Sequence, residues 1–177
     1  MVREARHDQL PPDISLSETS KIRALIHEIR NFLPEKSIVF SFWTSSLTFV
    51  QKALTTTDIR CVRIDGSLSL SNRERTIQAF REDEEIKVIL MTISCGGVGL
   101  DLTAASRVHL LEPQWNPAIE EQALSRVHRM GQRRPVVTMR YVVKDSTEES
   151  VASVKGKKQL LMELLPQTAL AQQSDKE

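Results

Sequence analysis

The chain has 177 residues, 40% hydrophobic and 27% charged, with a formal net charge of +1. This profile fits one globular domain with tails, excludes a disulfide scaffold, and gives no overall charge signal for nucleic acid. The longest apolar runs, such as Val88 to Met91, are too short for a bilayer, no apolar signal core follows Met1, and Cys61 and Cys95 lack metal-ligand spacing, so the expectation is an intracellular protein with no membrane contact and buried thiols.

Residues 1–17 form a polar extension containing Pro11-Pro12. Ile22, Leu25, Ile26 and Ile29 then recur at helical spacing, and Ser37 to Phe42 reads as a buried strand. Leu47, Val50 and Leu54 predict a second helix and Ile59 to Ile64 a second strand. Asp65-Gly66-Ser67 reads as a turn in which Gly66 takes a positive φ and Ser67 either caps the turn or meets a phosphate. Ser71-x-x-Glu74 has capping-box spacing ahead of a face with Ile77 and Phe80, and residues 82–85 form a solvated acidic turn. Val88 to Met91 and Val108 to Leu111 are strands. Asn116-Pro117 starts a helix, with Glu120 and Glu121 where the dipole favours acids. Val136 to Val143 makes a fifth strand, and Ser146-x-x-Glu149 opens a last helix running toward Leu165. The domain spans residues 18–166, and residues 167–177 form a polar, disordered tail. Near-continuous apolar strands alternating with helices imply an α/β fold, an open parallel sheet with helices on both faces. In such folds ligands sit outside the carboxyl ends of the strands.

Chemistry-bearing residues gather at those ends. Gly96, Gly97 and Gly99 follow the Val88 strand, where glycines let a backbone turn sharply and offer N–H groups to phosphate; Asp101 then supplies an acceptor suited to a sugar hydroxyl. A plain tight turn explains the same glycines, and no Gly-Lys-Ser/Thr follows them. Trp115 lies on a proline-bracketed loop, free either to meet nucleic acid or to pack over the sheet edge; Trp43 belongs to the core or its rim. On a continuous helix Gln122, Arg126 and Arg129 share one arc, beside an apolar stripe of Ile119, Ala123, Val127 and Met130. The two arginines are either solvated helix charges or a pair of rigid donors suited to phosphate oxygens. His128 has no acid or cysteine placed to complete a triad.

The order of these signals is more specific than any one of them. Ser37 to Phe42, Asp65-Gly66-Ser67, Gly96-Gly97-x-Gly99-Leu-Asp101-Leu, Trp115-Asn-Pro117 and Gln122-x-x-x-Arg126-x-His128-Arg129-x-Gly131-Gln132 follow one another in that order. Together they resemble the C-terminal motor lobe of the SWI/SNF-like DNA translocases within the superfamily-two helicases, over about Lys21 to Leu165. The wording Glu112-Pro-Gln-Trp-Asn-Pro117 is similar to the branch of the helicase-like transcription factor and the fungal DNA-repair translocases.

The resemblance implies a RecA-like lobe of a nuclear, ATP-dependent double-stranded-DNA translocase in chromatin remodelling or DNA repair, with nucleosomes among its possible substrates. It implies ATP with magnesium, bound mainly by a first RecA-like lobe, in the same longer protein or in trans; nothing in this chain resembles that lobe's Walker A lysine or acidic magnesium motif. By motif match Arg126 and Arg129 are arginine fingers, while Gly99, Asp101 and Gln122 lie at the nucleotide. Ser41, Gly66, Thr92, Gly96 and Trp115 match the DNA track. Ser125 stands where the family usually has Asp or Gly, and Ser94 where many relatives have Lys. The alternative is a free-standing, non-enzymatic DNA- or protein-binding module that keeps the shape of such a lobe. An RNA helicase lobe fits less well, because its motifs do not resemble the His-Arg-x-Gly-Gln ending or the Trp-Asn-Pro loop.

Overall fold

The computed structural model describes residues 2–4, 20–97 and 100–149. Its elements are β1 (Val2–Glu4), α1 (Ser20–Asn31), β2 (Ser37–Ser41), α2 (Thr44–Thr56), β3 (Cys61–Ile64), α3 (Leu70–Glu82), β4 (Val88–Thr92), a 3-10 turn (Ile93–Gly97), β5 (Arg107–Leu110), α4 (Pro117–Leu124) and β6 (Val137–Arg140). One sheet holds all six strands in the order β1-β6-β5-β2-β4-β3, and every pairing is parallel. Among the described residues no helix is long and apolar enough to cross a membrane.

Side-chain alternation along the strands builds two cores. Ile38 and Phe40 of β2, Ile89 and Met91 of β4, and Val108 and Leu110 of β5 pack with Ile77 and Phe80 of α3 and Ala123 of α4. Val39, Val88 and Leu90 point to the other face, against Leu25, Ile26 and Ile29 of α1 and Leu47, Val50 and Leu54 of α2. Phe40 and Phe80 are completely or almost completely buried, each stabilising the fold by roughly 1.5–3 kcal/mol relative to exposure. Helices thus cover both faces, as the near-continuous apolar strands require.

Local signals held at some ends and moved at others. Asn116 caps α4, its side chain accepting from Ala118 N at 3.1 Å, with Pro117 in the first turn. The cap of α3 is Ser69, which accepts from Asn72 N at 3.3 Å; Ser71, expected to cap, already lies inside the first turn. Lys36, buried at the start of β2, closes the other end of α3 by donating to the carbonyls of Phe80 (2.5 Å), Arg81 (3.3 Å) and Asp83 (3.0 Å). At the last start signal Ser146 Oγ accepts from Glu148 N at 3.3 Å and Glu149 takes Asp145 N at 3.1 Å, one residue out of capping-box register. The rest of that expected helix lies outside the described residues.

The main correction concerns α4. It ends at Leu124, whereas the sequence pattern continues through Met130. The next amides tighten onto i−3 carbonyls, Arg126 N to Ala123 O at 3.2 Å and Val127 N to Leu124 O at 3.0 Å, and Gly131 adopts φ 104°. Arg126 and Arg129 therefore ride on a compact turn rather than one helical arc. Ala123 and Val127 are buried as expected, but Met130 leaves the stripe and is 99% exposed.

Candidate functional site

Strands β5, β2, β4 and β3 are consecutive neighbours, so the segments leaving their carboxyl ends form a row. Trp115 follows β5, Ser41 ends β2, Thr92 ends β4, Gly96 lies in the 3-10 turn after it, and Gly66 follows β3. Residues spread over 75 positions of sequence thus lie along one edge, across three interstrand spacings or about 14 Å.

Within the row, exposure separates two kinds of residue. Trp115 is 64% and Trp43 58% exposed, and Phe42 meets Trp43 edge-on at 4.9 Å. Trp43 is therefore a rim residue. Ser41 and Thr92 are buried, and their hydroxyls serve the protein itself. Ser41 Oγ lies 3.1 Å from Glu112 Oε1 and 3.0 Å from the Trp43 carbonyl, and accepts from Trp43 N at 3.0 Å. Thr92 Oγ1 donates to the buried Cys95 thiol at 3.1 Å.

The Asp65-Gly66-Ser67 turn is closed by its aspartate. Asp65 Oδ1 accepts from Ser67 N at 3.0 Å and Ser67 Oγ at 2.5 Å, while Oδ2 takes Arg63 Nε at 2.8 Å. The Ser67 hydroxyl, more than any other contact, holds the Asp65 pKa below the usual carboxylate range. With the aspartate bonding forward, Gly66 does not need the positive φ expected of it; among the described residues Gly131 is the glycine that has one. Gly66 is exposed, with open space where a Cβ would stand.

A second group lies around Asp101. Its Oδ1 accepts from Thr103 N at 3.1 Å and Thr103 Oγ1 at 2.7 Å, and Oδ2 is 3.5 Å from Arg81 Nη1. The Thr103 hydroxyl is the main reason its carboxyl titrates low, and the charges of Arg81 and Arg129 add to the effect. Leu102 N bonds Arg126 O at 3.3 Å, tying the arginine turn to this loop from one side. Gln132 Nε2 ties it from the other, donating to Thr103 O at 3.1 Å and Ala105 O at 2.8 Å. Asp101, Arg126 and Arg129 are thus brought together. Arg126 is half-buried and Arg129 exposed. Gln122 is exposed in the last turn of α4, its carbonyl accepting from Ser125 Oγ at 2.8 Å. Gly99 lies outside the described residues. Among those residues no three His, Cys, Asp or Glu side chains gather as a metal site.

Three charged residues hold these loops in roles that the sequence did not reveal. Glu112 bridges Ser41 Oγ and Phe42 N, the latter at 3.0 Å. Glu120, expected in the first turn of α4 where the dipole favours acids, is also 1% exposed and takes Gln114 N at 3.1 Å and Arg140 Nε at 3.0 Å. Arg81 reaches Asp101 from α3. A carboxylate directly after a buried strand was the available signal for Glu112; the other pairings depend on tertiary contact alone.

The profile of the helicase conserved C-terminal domain matches residues 20–131. The chain is 44% identical over 147 residues to DNA repair protein RAD5A of Arabidopsis thaliana, covering 82% of this chain and 14% of that protein. It is 38% identical over 163 residues to the human helicase-like transcription factor, covering 89% of this chain and 16% of that protein. The chain therefore spans about a seventh of the length of these relatives. Among solved structures, the C-terminal part of the Fun30 ATPase domain superposes with a TM-score of 0.75 at 32% identity, over 77% of this chain and 45% of that one.

Proposed function

Because the chain belongs to the helicase conserved C-terminal domain family, on the SWI/SNF-like branch with the RAD5-type repair proteins and the helicase-like transcription factor, we propose that it acts as the second RecA-like lobe of an ATP-dependent double-stranded-DNA translocase. The observation that carries this reading is the convergence of Arg129, Arg126 and Asp101 on one neighbourhood, beside a row of loops along the same strand edge.

In this reading Arg126 and Arg129 are the fingers. Permanently charged, planar donors suit a triphosphate, whose oxygens gain or share charge as the γ-phosphoryl leaves. Asp101 Oδ2, which has a lone pair beyond the one facing Arg81, accepts from the nucleotide sugar, with Gly99 and Gln122 beside it. A carboxylate acceptor next to guanidinium donors fits the two ends of a nucleotide. ATP with magnesium supplies the bond to be hydrolysed and is held mainly by a first lobe. Finger residues carried on a separate lobe make hydrolysis wait for closure, which couples the cycle to movement.

The DNA track is read as sequence-independent backbone contact, with nucleosomal or damaged duplex as substrate and a nuclear location. Gly66 and Gly96 offer main chain, and Trp115 offers an exposed ring. Ser41 and Thr92 contribute by shaping their loops, since their hydroxyls are already bonded within the lobe. The test joins this chain to the first lobe of a RAD5 relative and measures ATP turnover with and without duplex DNA. Duplex-stimulated hydrolysis, absent from either lobe alone, is expected. Hydrolysis that ignores DNA, or responds only to RNA, contradicts the reading.

A further inference from the structure

Asp101 has one carboxylate oxygen to give and two arginines within electrostatic reach. Oδ1 is taken by both donors of Thr103, at 3.1 and 2.7 Å. Oδ2 faces Arg81 Nη1 at 3.5 Å, in a pair whose side chains are 54% and 40% exposed. Arg129 stands close enough for its charge to act on the same carboxyl, yet pairs with no carboxylate among the described residues.

The backbones that carry both arginines are fixed. Arg81 sits in the last turn of α3, whose end Lys36 anchors through three carbonyls, Arg81's own included. The turn of Arg129 is pinned on both sides to the Asp101 loop, by Leu102 N to Arg126 O at 3.3 Å and by Gln132 to Thr103 O and Ala105 O. Glu82, the acid in the last turn of α3, is occupied by Gln78 Nε2 at 3.1 Å. A guanidinium tethered beside an unpaired carboxylate oxygen pairs with it, since charge-assisted bonds of this kind are the strong ones.

We infer that Arg81 is a positioning residue for the finger: by holding the carboxylate oxygen that Thr103 leaves over, it keeps Asp101 from capturing Arg129. This rests on the reading of Arg129 as a finger and names a regulator of that same site. Arg81 touches neither phosphate nor sugar in this scheme. It sets the fraction of molecules in which Arg129 is directed outward, so its removal acts on kcat and leaves the KM for ATP largely alone.

The experiment uses the two-lobe protein with saturating duplex. Arg81→Ala is expected to lower kcat about threefold to fivefold, the scale of a half-exposed ion pair, with Arg81→Lys recovering most of the loss. Asp101→Asn removes the competing charge, so Arg81→Ala added to Asp101→Asn lowers kcat no further, although both Asp101→Asn proteins show a raised KM. An Arg81→Ala loss that persists undiminished in the Asp101→Asn background overturns the inference, as does an unchanged kcat in Arg81→Ala alone. Arg129→Ala is run beside them. If it turns over normally, the finger reading fails and the inference with it; if it is defective while Arg81→Ala is silent, only the inference fails.

Discussion

Glu112, just past β5, holds the end of β2 through Ser41: its Oε1 is 3.1 Å from the buried Ser41 hydroxyl, and its Oε2 takes the next amide, Phe42 N, at 3.0 Å. One carboxylate thus joins the loop bearing Phe42 and Trp43 to the loop bearing Trp115. Glu112→Ala leaves Phe42 N without its acceptor and Ser41 Oγ with the Trp43 carbonyl alone, and is expected to destabilise the lobe by roughly 1 kcal/mol. Urea unfolding measures this; a midpoint equal to that of the parent chain argues against the clamp.

The Glu120–Arg140 pair fixes the same loop from behind, because the buried Glu120 also receives Gln114 N. Removing the guanidinium takes a charge-assisted bond from a buried carboxylate that keeps Gln114 N and its other contacts. Arg140→Ala is therefore expected to cost roughly 1.5–3 kcal/mol, the scale of a hydrogen bond to a charged group. A thermal midpoint within two degrees or so of the parent would contradict that assignment.

Acid sensitivity follows from His109. Burial, with a smaller contribution from the Arg107 charge, brings its pKa down to about 3 from the ordinary 6.5. Its buried Nδ1 meets Tyr141 Oη at 2.9 Å. The folded pKa lies below the unfolded one, so the unfolded chain takes up the proton first. Stability is complete above pH 6.5 and falls as pH drops toward 3, with a limiting slope of about 1.4 kcal/mol per pH unit from this group. Glu35, Asp65 and Asp101 also titrate low, and their contributions vanish only as pH falls through their lowered pKa values. Between pH 6.5 and 5 the loss should therefore be dominated by His109. Urea midpoints across that window are expected to decline in the parent and to flatten in His109→Gln; equal slopes would remove His109 as the cause.

How much of this was legible in sequence depended on range. Five of the six described strands announced themselves through short β-branched runs, while β1, an edge strand beside β6 within the expected polar extension, did not; Asn116-Pro117 marked its helix start because capping is a contact between residues two apart. The end of α4 was not legible. Ile119, Ala123, Val127 and Met130 keep helical spacing, but the chain is drawn out of the helix by contacts with residues 102–105, more than 20 positions away. Glu112 and Ser41 are separated by 71 residues, so their pairing is invisible to any local pattern. The site residues were placed by motif order, which reports the edge they share but not that the Ser41 and Thr92 hydroxyls face inward.

Trp115 separates contact from scaffold. Trp115 is 64% exposed, so Trp115→Ala should leave the unfolding free energy within about 0.5 kcal/mol of the parent. In the two-lobe protein the DNA concentration for half-maximal stimulation should rise about fivefold to tenfold, the scale of a lost ring contact to nucleic acid. Unchanged DNA dependence would move Trp115 off the track.

The most direct measurement is DNA-saturated ATP turnover of the two-lobe protein carrying Arg129→Ala. Scaled from what a finger supplies, the account predicts a fall of at least about a hundredfold in kcat with the duplex still bound. Turnover within about threefold of the parent would contradict the assignment of Arg129 to the triphosphate.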